Sequence, residues 1–320
     1  YSDSNSCLMK LGMIGETIVN LMFTYDRIAL PQDNTAVARI DALVREGLLT
    51  RDLATILHGL RKVRNKAVHE NYSSVTDSKN FLPMAYGMCE WFMQTYGDWS
   101  YTHKDFVMPE ENVMIVPVDK VAEEKKEAEL AKQAEENAAN APKVAQEERK
   151  KQAYKVANQR PKTEAETRFL IDEQLRMVGW EADTENIRYS KGVRPTKGRK
   201  LAIAEYPTNS TVGNRGYADY ALFIGEKLVG IIEAKAIHKD IPSVIDYQGK
   251  DYPRCIREED EKYVIGKWGE FKVPFTFATN GRPYLEQFKT KSGIWFLDLR
   301  ESSNVPMALH GWISPEGIME

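Results

Sequence analysis

Gly216-Tyr-Ala-Asp219-Tyr-Ala-Leu-Phe-Ile-Gly225-Glu-Lys-Leu-Val-Gly-Ile-Ile-Glu233-Ala-Lys235 reads as two apolar runs around a turn at Gly225-Glu226-Lys227. In the first run both alternating faces are apolar, with Ala218, Tyr220, Leu222 and Ile224 on one and Ala221 and Phe223 on the other. A strand apolar on both faces belongs in the middle of a sheet. Charged residues there are out of place unless they bind something. A three-residue loop centred on Glu226 pairs position 224 with 228 and position 219 with 233. Asp219 and Glu233 then face each other across one ladder, about 5 Å apart at Cβ. Lys235, two residues after Glu233, points to the same face. A two-residue loop predicts the opposite, with the carboxylates on different faces.

Two close carboxylates repel, and burying them bare is costly. A divalent cation resolves this, and oxygen ligands with a few retained waters suit Mg²⁺. Asp219, Glu233 and the backbone carbonyl of Ala234 are the expected metal ligands. Lys235 is expected to orient or help deprotonate the attacking water. The chemistry is metal-assisted phosphodiester hydrolysis. The alternative is a structural ion pair between Glu233 and Lys235 at a sheet end.

The surrounding chain has 320 residues, 42% of them hydrophobic, which is enough for two domains and a connector. The net charge of -3 does not suggest a nucleic-acid binder, although a local basic face is what matters. Cys7, Cys89 and Cys255 are far apart and odd in number, which argues against a disulfide framework or a zinc site and for a reducing, cytoplasmic compartment. No apolar run approaches the roughly 18 residues of a membrane span, and no signal peptide is visible. The start at Tyr1 suggests that preceding residues are missing.

Three regions separate by composition. Residues 1–115 read as an all-α bundle: Leu8, Leu11, Ile14, Ile18 and Leu21 recur at helical spacing, as do Val37, Ile40, Val44 and Leu48. Thr50 is a plausible N-cap for a helix carrying Leu53, Ile56, Leu57 and Leu60, and a further helix runs through Phe81 to Tyr96. Trp91, Phe92, Tyr96 and Trp99 read as packing aromatics. Residues 116–160 read as a solvated helical linker, interrupted at Asn140-Ala141-Pro142; residues 121–160 hold ten alanines, eight glutamates and nine Lys or Arg. Residues 161–320 alternate, with helices at Thr163 to about Met177, ended by Gly179, and between Ser243 and Arg257. Strands are expected at 200–206, 217–224, 228–235, 273–279 and 294–299. This gives a mixed α/β domain with a central sheet and helices on its faces.

These residues resemble the N-terminal nuclease domain of the R (restriction and translocation) subunit of type I restriction enzymes, a PD-(D/E)xK restriction-endonuclease-like domain. Thr163-Glu-Ala-Glu-Thr-Arg-Phe-Leu-Ile-Asp172 with Leu175 and Gly179-Trp180 is similar to its opening helix. Gly216 to Tyr220 and Ile232-Glu233-Ala-Lys235 are similar to its catalytic strands, Gln248-Gly-Lys-Asp-Tyr252 to its Q-x-x-x-Y motif, and Phe277-Ala-Thr-Asn-Gly281 to a later strand end. The resemblance implies a type I site-specific deoxyribonuclease in which Asp219, Glu233 and Lys235 are catalytic and Gln248 and Tyr252 assist. An acidic residue of the opening helix is implied near the metal, with Glu166 first and Glu173 in reserve. The implied partners are double-stranded DNA and the modification and specificity subunits, with no membrane. ATP enters only through a motor domain downstream, since no G-x-x-x-x-G-K-[ST] loop is present in what reads as a fragment.

Other features carry rival readings. Lys191-Gly-Val-Arg194 and Lys197-Gly-Arg199-Lys200 form a basic patch for DNA phosphates or a solvated loop. Arg215 is a further phosphate candidate, and His238 is incidental. Arg64-Asn65-Lys-Ala-Val-His69-Glu70 resembles the R-x4-H motif of HEPN domains, some of which are ribonucleases. There His69 is a candidate general base and Arg64 a phosphate stabiliser. An interaction or structural role for these residues is the other reading, as is a docking role for the whole region.

Overall fold

The computed structural model describes residues 3–109, 120–211, 216–235, 241–281, 284 and 292–319, apart from the side chains of 120, 121, 242, 243 and 246–248. The chain divides into two compact units, Tyr1–Thr163 and Glu164–Glu320.

The first unit holds helices α1 (Ser4–Asp26), α2 (Ala36–Arg45), α3 (Arg51–His69), α4 (Val75–Tyr96), α5 (Lys120–Asn140) and α6 (Gln146–Gln159). Local signals set their ends. Thr50 caps α3 by accepting from the Leu53 N–H, and Ser74 caps α4 through Asp77. The α1 stripe of Leu8, Leu11, Ile18 and Leu21 is buried, as are Leu53, Ile56, Leu57 and Leu60 of α3. α1 is long and apolar enough, by length and composition alone, to cross a membrane, but half of that stretch is buried inside the unit, as in a core helix. Trp91 and Tyr96 are core residues, whereas Trp99 lies outside the core, about half exposed with its indole N–H on the Thr95 carbonyl.

The charged connector behaves differently along its length. α5 is mostly exposed and ends at Asn140, before the proline. α6 buries one face, which its composition does not suggest. Arg149 is buried, pairs with Asp26 at 3.3 Å and lies over the Tyr96 ring at 4.4 Å. The Ala153 carbonyl accepts the Trp91 indole N–H at 3.0 Å. A sequence rich in Lys, Glu and Ala still buries a stripe when one face carries Ala153, Val156 and Ala157.

The second unit opens with α7 (Glu164–Met177) and continues through β1 (Glu181–Ala182), β2 (Lys200–Pro207), β3 (Tyr217–Ile224), β4 (Lys227–Ala234), α8 (Ile241–Arg254), β5 (Phe275–Thr279), β6 (Ile294–Asp298) and β7 (Met307–Ala308). Gly179, at φ 100, lies just past the end of α7. Among the described residues the strands form one seven-stranded mixed sheet in sequence order. β1 with β2 and β4 with β5 are parallel, and the remaining neighbours are antiparallel. α8 is the crossover that the parallel β4–β5 pair requires.

Each face of the sheet has its own core. Ile171 and Leu175 of α7 pack with Ala202, Tyr220, Leu222, Ile232 and Phe277. On the other side Tyr252 of α8 packs with Ile203, Phe223, Leu228, Ile231 and Val273. A buried polar knot ties α7 to β3: Asp172 accepts from the Thr184 N–H at 2.7 Å and from the Tyr220 hydroxyl at 3.0 Å. Burial pushes the Asp172 carboxyl up to about 6 despite these donors.

Candidate functional site

The β3–β4 hairpin turns on two residues, Gly225 and Glu226, because Ile224 pairs with Lys227. Gly225 has φ 62, which suits the first loop position of a type II′ turn. The expected three-residue loop is therefore not the one formed. Past the turn the register shifts: Phe223 pairs with Leu228, but Leu222 pairs with Gly230, so Val229 is an extra residue on β4. From there Ala221 faces Ile231 and Tyr220 faces Ile232. The ladder ends there, and Asp219 and Glu233 are the next residue on each strand, close enough for the Asp219 charge to act on Glu233. The bulge thus restores the pairing that the shorter loop takes away, and the prediction that such a loop separates the carboxylates does not hold.

The other neighbour of β3 is irregular at the same level. Ala204 pairs with Tyr220 and Tyr206 with Ala218, leaving Glu205 across from Asp219 with φ 47. Ala204 and Tyr220 lie in one core, while Tyr206 and Ala218 lie in the other. The alternation of both strands therefore reverses at Glu205 and Asp219, so Ala218 does not share the face of Tyr220. Asp219 sits where the regular sheet ends.

Asp219 is 5% exposed and Glu233 fully buried. Asp219 Oδ2 accepts the backbone N–H of Ala234 at 2.7 Å. Its Oδ1 lies 3.4 Å from the Arg168 guanidinium of α7. Lys235 Nζ pairs with Glu233 Oε1, while Glu233 Oε2 is buried with no hydrogen-bond partner. Burial raises the Asp219 carboxyl, opposed by the Ala234 N–H and Arg168. Burial, then the Asp219 charge, pushes Glu233 up to about 7, against the pull of Lys235. The backbone N–H of Lys235 donates to the Thr279 carbonyl at 2.7 Å, so the end of β5 fixes where the lysine leaves the sheet.

A cavity of about 320 Å³ opens beside Asp219, lined by Glu164, Arg168, Glu205, Tyr217, Ala218 and Asp219. Arg168 was not singled out from the sequence. Its signal was present, since Glu164 and Arg168 are i,i+4 on the opening helix and do pair, at 3.0 Å. Glu205 had no sequence signal beyond a charge inside an apolar strand. Among the described residues no group of three or more His, Cys, Asp and Glu side chains is disposed to hold a metal ion. Any metal set here therefore rests on the Asp219–Glu233 pair and on backbone. A strand residue directs its N–H and C=O toward the same neighbour, so the Ala234 carbonyl opens on the Asp219 side.

The other sequence candidates fall as follows. Glu166 is buried on α7, and Glu173 pairs with Arg176 at 2.8 Å. Tyr252 is fully buried in the core that contains Ile231, on the same side of β4 as Glu233. Gln248 lies on α8, and its side chain is outside the described residues, as are Arg215 and His238. In the basic patch Arg199 pairs with Glu181 and Lys200 with Glu316, while Arg194 keeps its charge and lies over the Tyr189 ring. Arg64 is turned to Glu16 of α1, and Asn65 and His69 are exposed.

Residues 181–320 match the family model of the type I restriction enzyme EcoKI endonuclease subunit second domain. Over 99% of its length the chain is 29% identical to the type I restriction enzyme EcoKI endonuclease subunit of Escherichia coli (strain K12), in an alignment of 395 residues. The chain resembles the N-terminal region of a type I restriction enzyme R subunit. It spans 33% of the length of that relative. No solved structure matches significantly. The hairpin with Asp219, Glu233 and Lys235 lies inside the matched restriction-subunit domain, and Arg168 lies ahead of it.

Proposed function

We propose that this chain carries the DNA-cutting module of a type I restriction R subunit, a Mg²⁺-dependent endonuclease site of the PD-(D/E)xK kind acting on double-stranded DNA. The observation that carries the reading is the closeness of the buried Asp219 and Glu233 carboxyls just past the last pair of one hairpin, with Lys235 on Glu233. The residues fit a divalent ion. Two buried carboxylates repel, Glu233 Oε2 has no partner, and the donors are hard oxygens. Asp219, Glu233 and the Ala234 carbonyl would hold it. When bound, the ion supplies an activated water and stabilises charge on the phosphate.

The chain's own residues do the rest. Ala234 N–H fixes the Asp219 carboxylate, and Thr279 fixes the Lys235 backbone. Lys235 would meet the nucleophile or the phosphate in place of Glu233. Glu233 would serve as a ligand in its ionised form. Glu166 and Gln248 are proposed to assist, and Tyr252 supports the β4 strand behind Glu233. The modification and specificity subunits are the proposed partners, and ATP belongs to a motor elsewhere in the protein. The ribonuclease reading of the first unit has less behind it, because Arg64 is committed to Glu16.

The test is plasmid cleavage by the assembled restriction complex containing the whole subunit. Asp219→Asn and Lys235→Ala are expected to abolish cutting while ATP-driven translocation continues. Normal cutting by both variants overturns the assignment.

A further inference from the structure

Arg168 places its guanidinium among three carboxylates: Glu164 at 3.0 Å, Asp219 at 3.4 Å and Glu205 at 3.5 Å. All four line the cavity beside the hairpin. Glu205 lies directly across β2–β3 from Asp219, and a second arginine, Arg188, also pairs with it. Its left-handed backbone, φ 47, is a conformation that a residue with a side chain avoids. Strain of this kind persists where surrounding contacts over-determine it, and it clusters at sites. Here two arginines hold Glu205 in place.

A buried carboxylate is not left without a counter-charge. Asp219 has one side of its carboxylate on the Ala234 N–H, and its cationic partner on the other side is Arg168. That contact is long and single, so it is weak among its kind. A planar guanidinium with five donors can serve several carboxylates and shift weight between them, which an ammonium does less well.

We propose that Arg168 is a positioning residue that neutralises Asp219 in the metal-free site and passes to Glu205 when Asp219 engages a divalent cation. This rests on the metal-site reading above. Glu205 is thus the parking place for a guanidinium that competes with the metal for Asp219. Arg168 sets how readily the site loads, and the strained Glu205 sets how readily Arg168 lets go.

The test is calorimetric titration of Mg²⁺ alone into the full chain, without DNA, for the unmodified protein, R168M, E205Q and the double variant, with melting curves to confirm folding. R168M is expected to bind Mg²⁺ about tenfold more tightly, because the competitor is gone. E205Q is expected to bind several-fold more weakly with Arg168 present and to have no effect in the R168M background. Unchanged or weaker binding by R168M overturns the proposal. So does an equal E205Q effect in both backgrounds, which is a plain charge effect. If R168M does not fold, R168Q, which keeps amide donors without the charge, takes its place under the same criteria. An unmodified protein that takes up no Mg²⁺, or whose uptake survives D219N, overturns the metal-site reading and this proposal with it. Normal Asp219-dependent uptake with a silent R168M overturns this proposal alone.

Discussion

The backbone N–H of Ala234 donates to Asp219 Oδ2 at 2.7 Å, so the main chain of one site strand orients the carboxylate of the other. Asp219 is therefore fixed before any ligand arrives, and Glu233, with an oxygen left over, is not fully satisfied. Binding of Mg²⁺ to such a pair should stabilise the folded protein. At tenfold excess over Kd the gain is about 1.4 kcal/mol, or roughly 2–4 °C in Tm. Differential scanning fluorimetry with and without Mg²⁺ should show this rise for the unmodified chain and none for Asp219→Asn or Glu233→Gln. A rise of equal size in all three would place the ion elsewhere.

Lys235 is assigned to the chemistry and not to the metal. Lys235→Met should lower cleavage by at least about 100-fold and leave Mg²⁺ affinity no weaker than in the unmodified protein. Loss of Mg²⁺ binding in this variant would make the lysine a structural prop.

Asp172 gives the second unit a dependence on pH that is independent of the site's ligands. Its carboxyl is raised to about 6 from an ordinary value of 3.8. The folded state therefore prefers it protonated. This contribution to stability is complete below about pH 4 and is lost as pH rises through about 6, with a size on the order of 3 kcal/mol. Asp172→Asn keeps the acceptor for Thr184 and Tyr220 without the charge. The stability gap between this variant and the unmodified chain should shift in the variant's favour from pH 4 to pH 7. Glu233 titrates in the same direction near 7, so the difference between the two proteins is the quantity to follow. A gap independent of pH would show that Asp172 is already ionised in the fold.

In the first unit α1 and α3 meet where a Cβ on Gly12 would lie 2.3 Å from the Arg64 Cβ. Neither atom can yield without moving its helix. Gly12→Val should therefore cost about 2 kcal/mol or more, seen in thermal melts followed by circular dichroism. His69→Ala, at an exposed helix end, should cost less than about 0.5 kcal/mol.

Much of the second unit was legible because its signals are local. Apolar runs gave β3 and β4, the position of Gly179 gave the end of α7, and the even spacing of Asp219 and Glu233 gave the closeness of the two carboxyls. The route to that closeness was not legible. Val229 is one apolar residue among several, and only the ladder shows that it is extra. Gly225 at the first loop position was the available hint of a two-residue turn. Arg168 and Glu205 escaped because their meaning is tertiary: each is an ordinary surface charge until α7 and β2 converge on Asp219. Composition misled at α6 for the same reason, since four buried positions in fourteen residues leave the average polar.

The extra residue at Val229 lies between the hairpin tip and the carboxylates, so it works as slack. A lineage that gains a residue at Gly225-Glu226 can lose the one at 229 and keep Asp219 opposite Glu233. Related chains aligned on this hairpin should therefore show compensating insertions and deletions at the tip and at 229, while the distance from 229 to Lys235 stays constant.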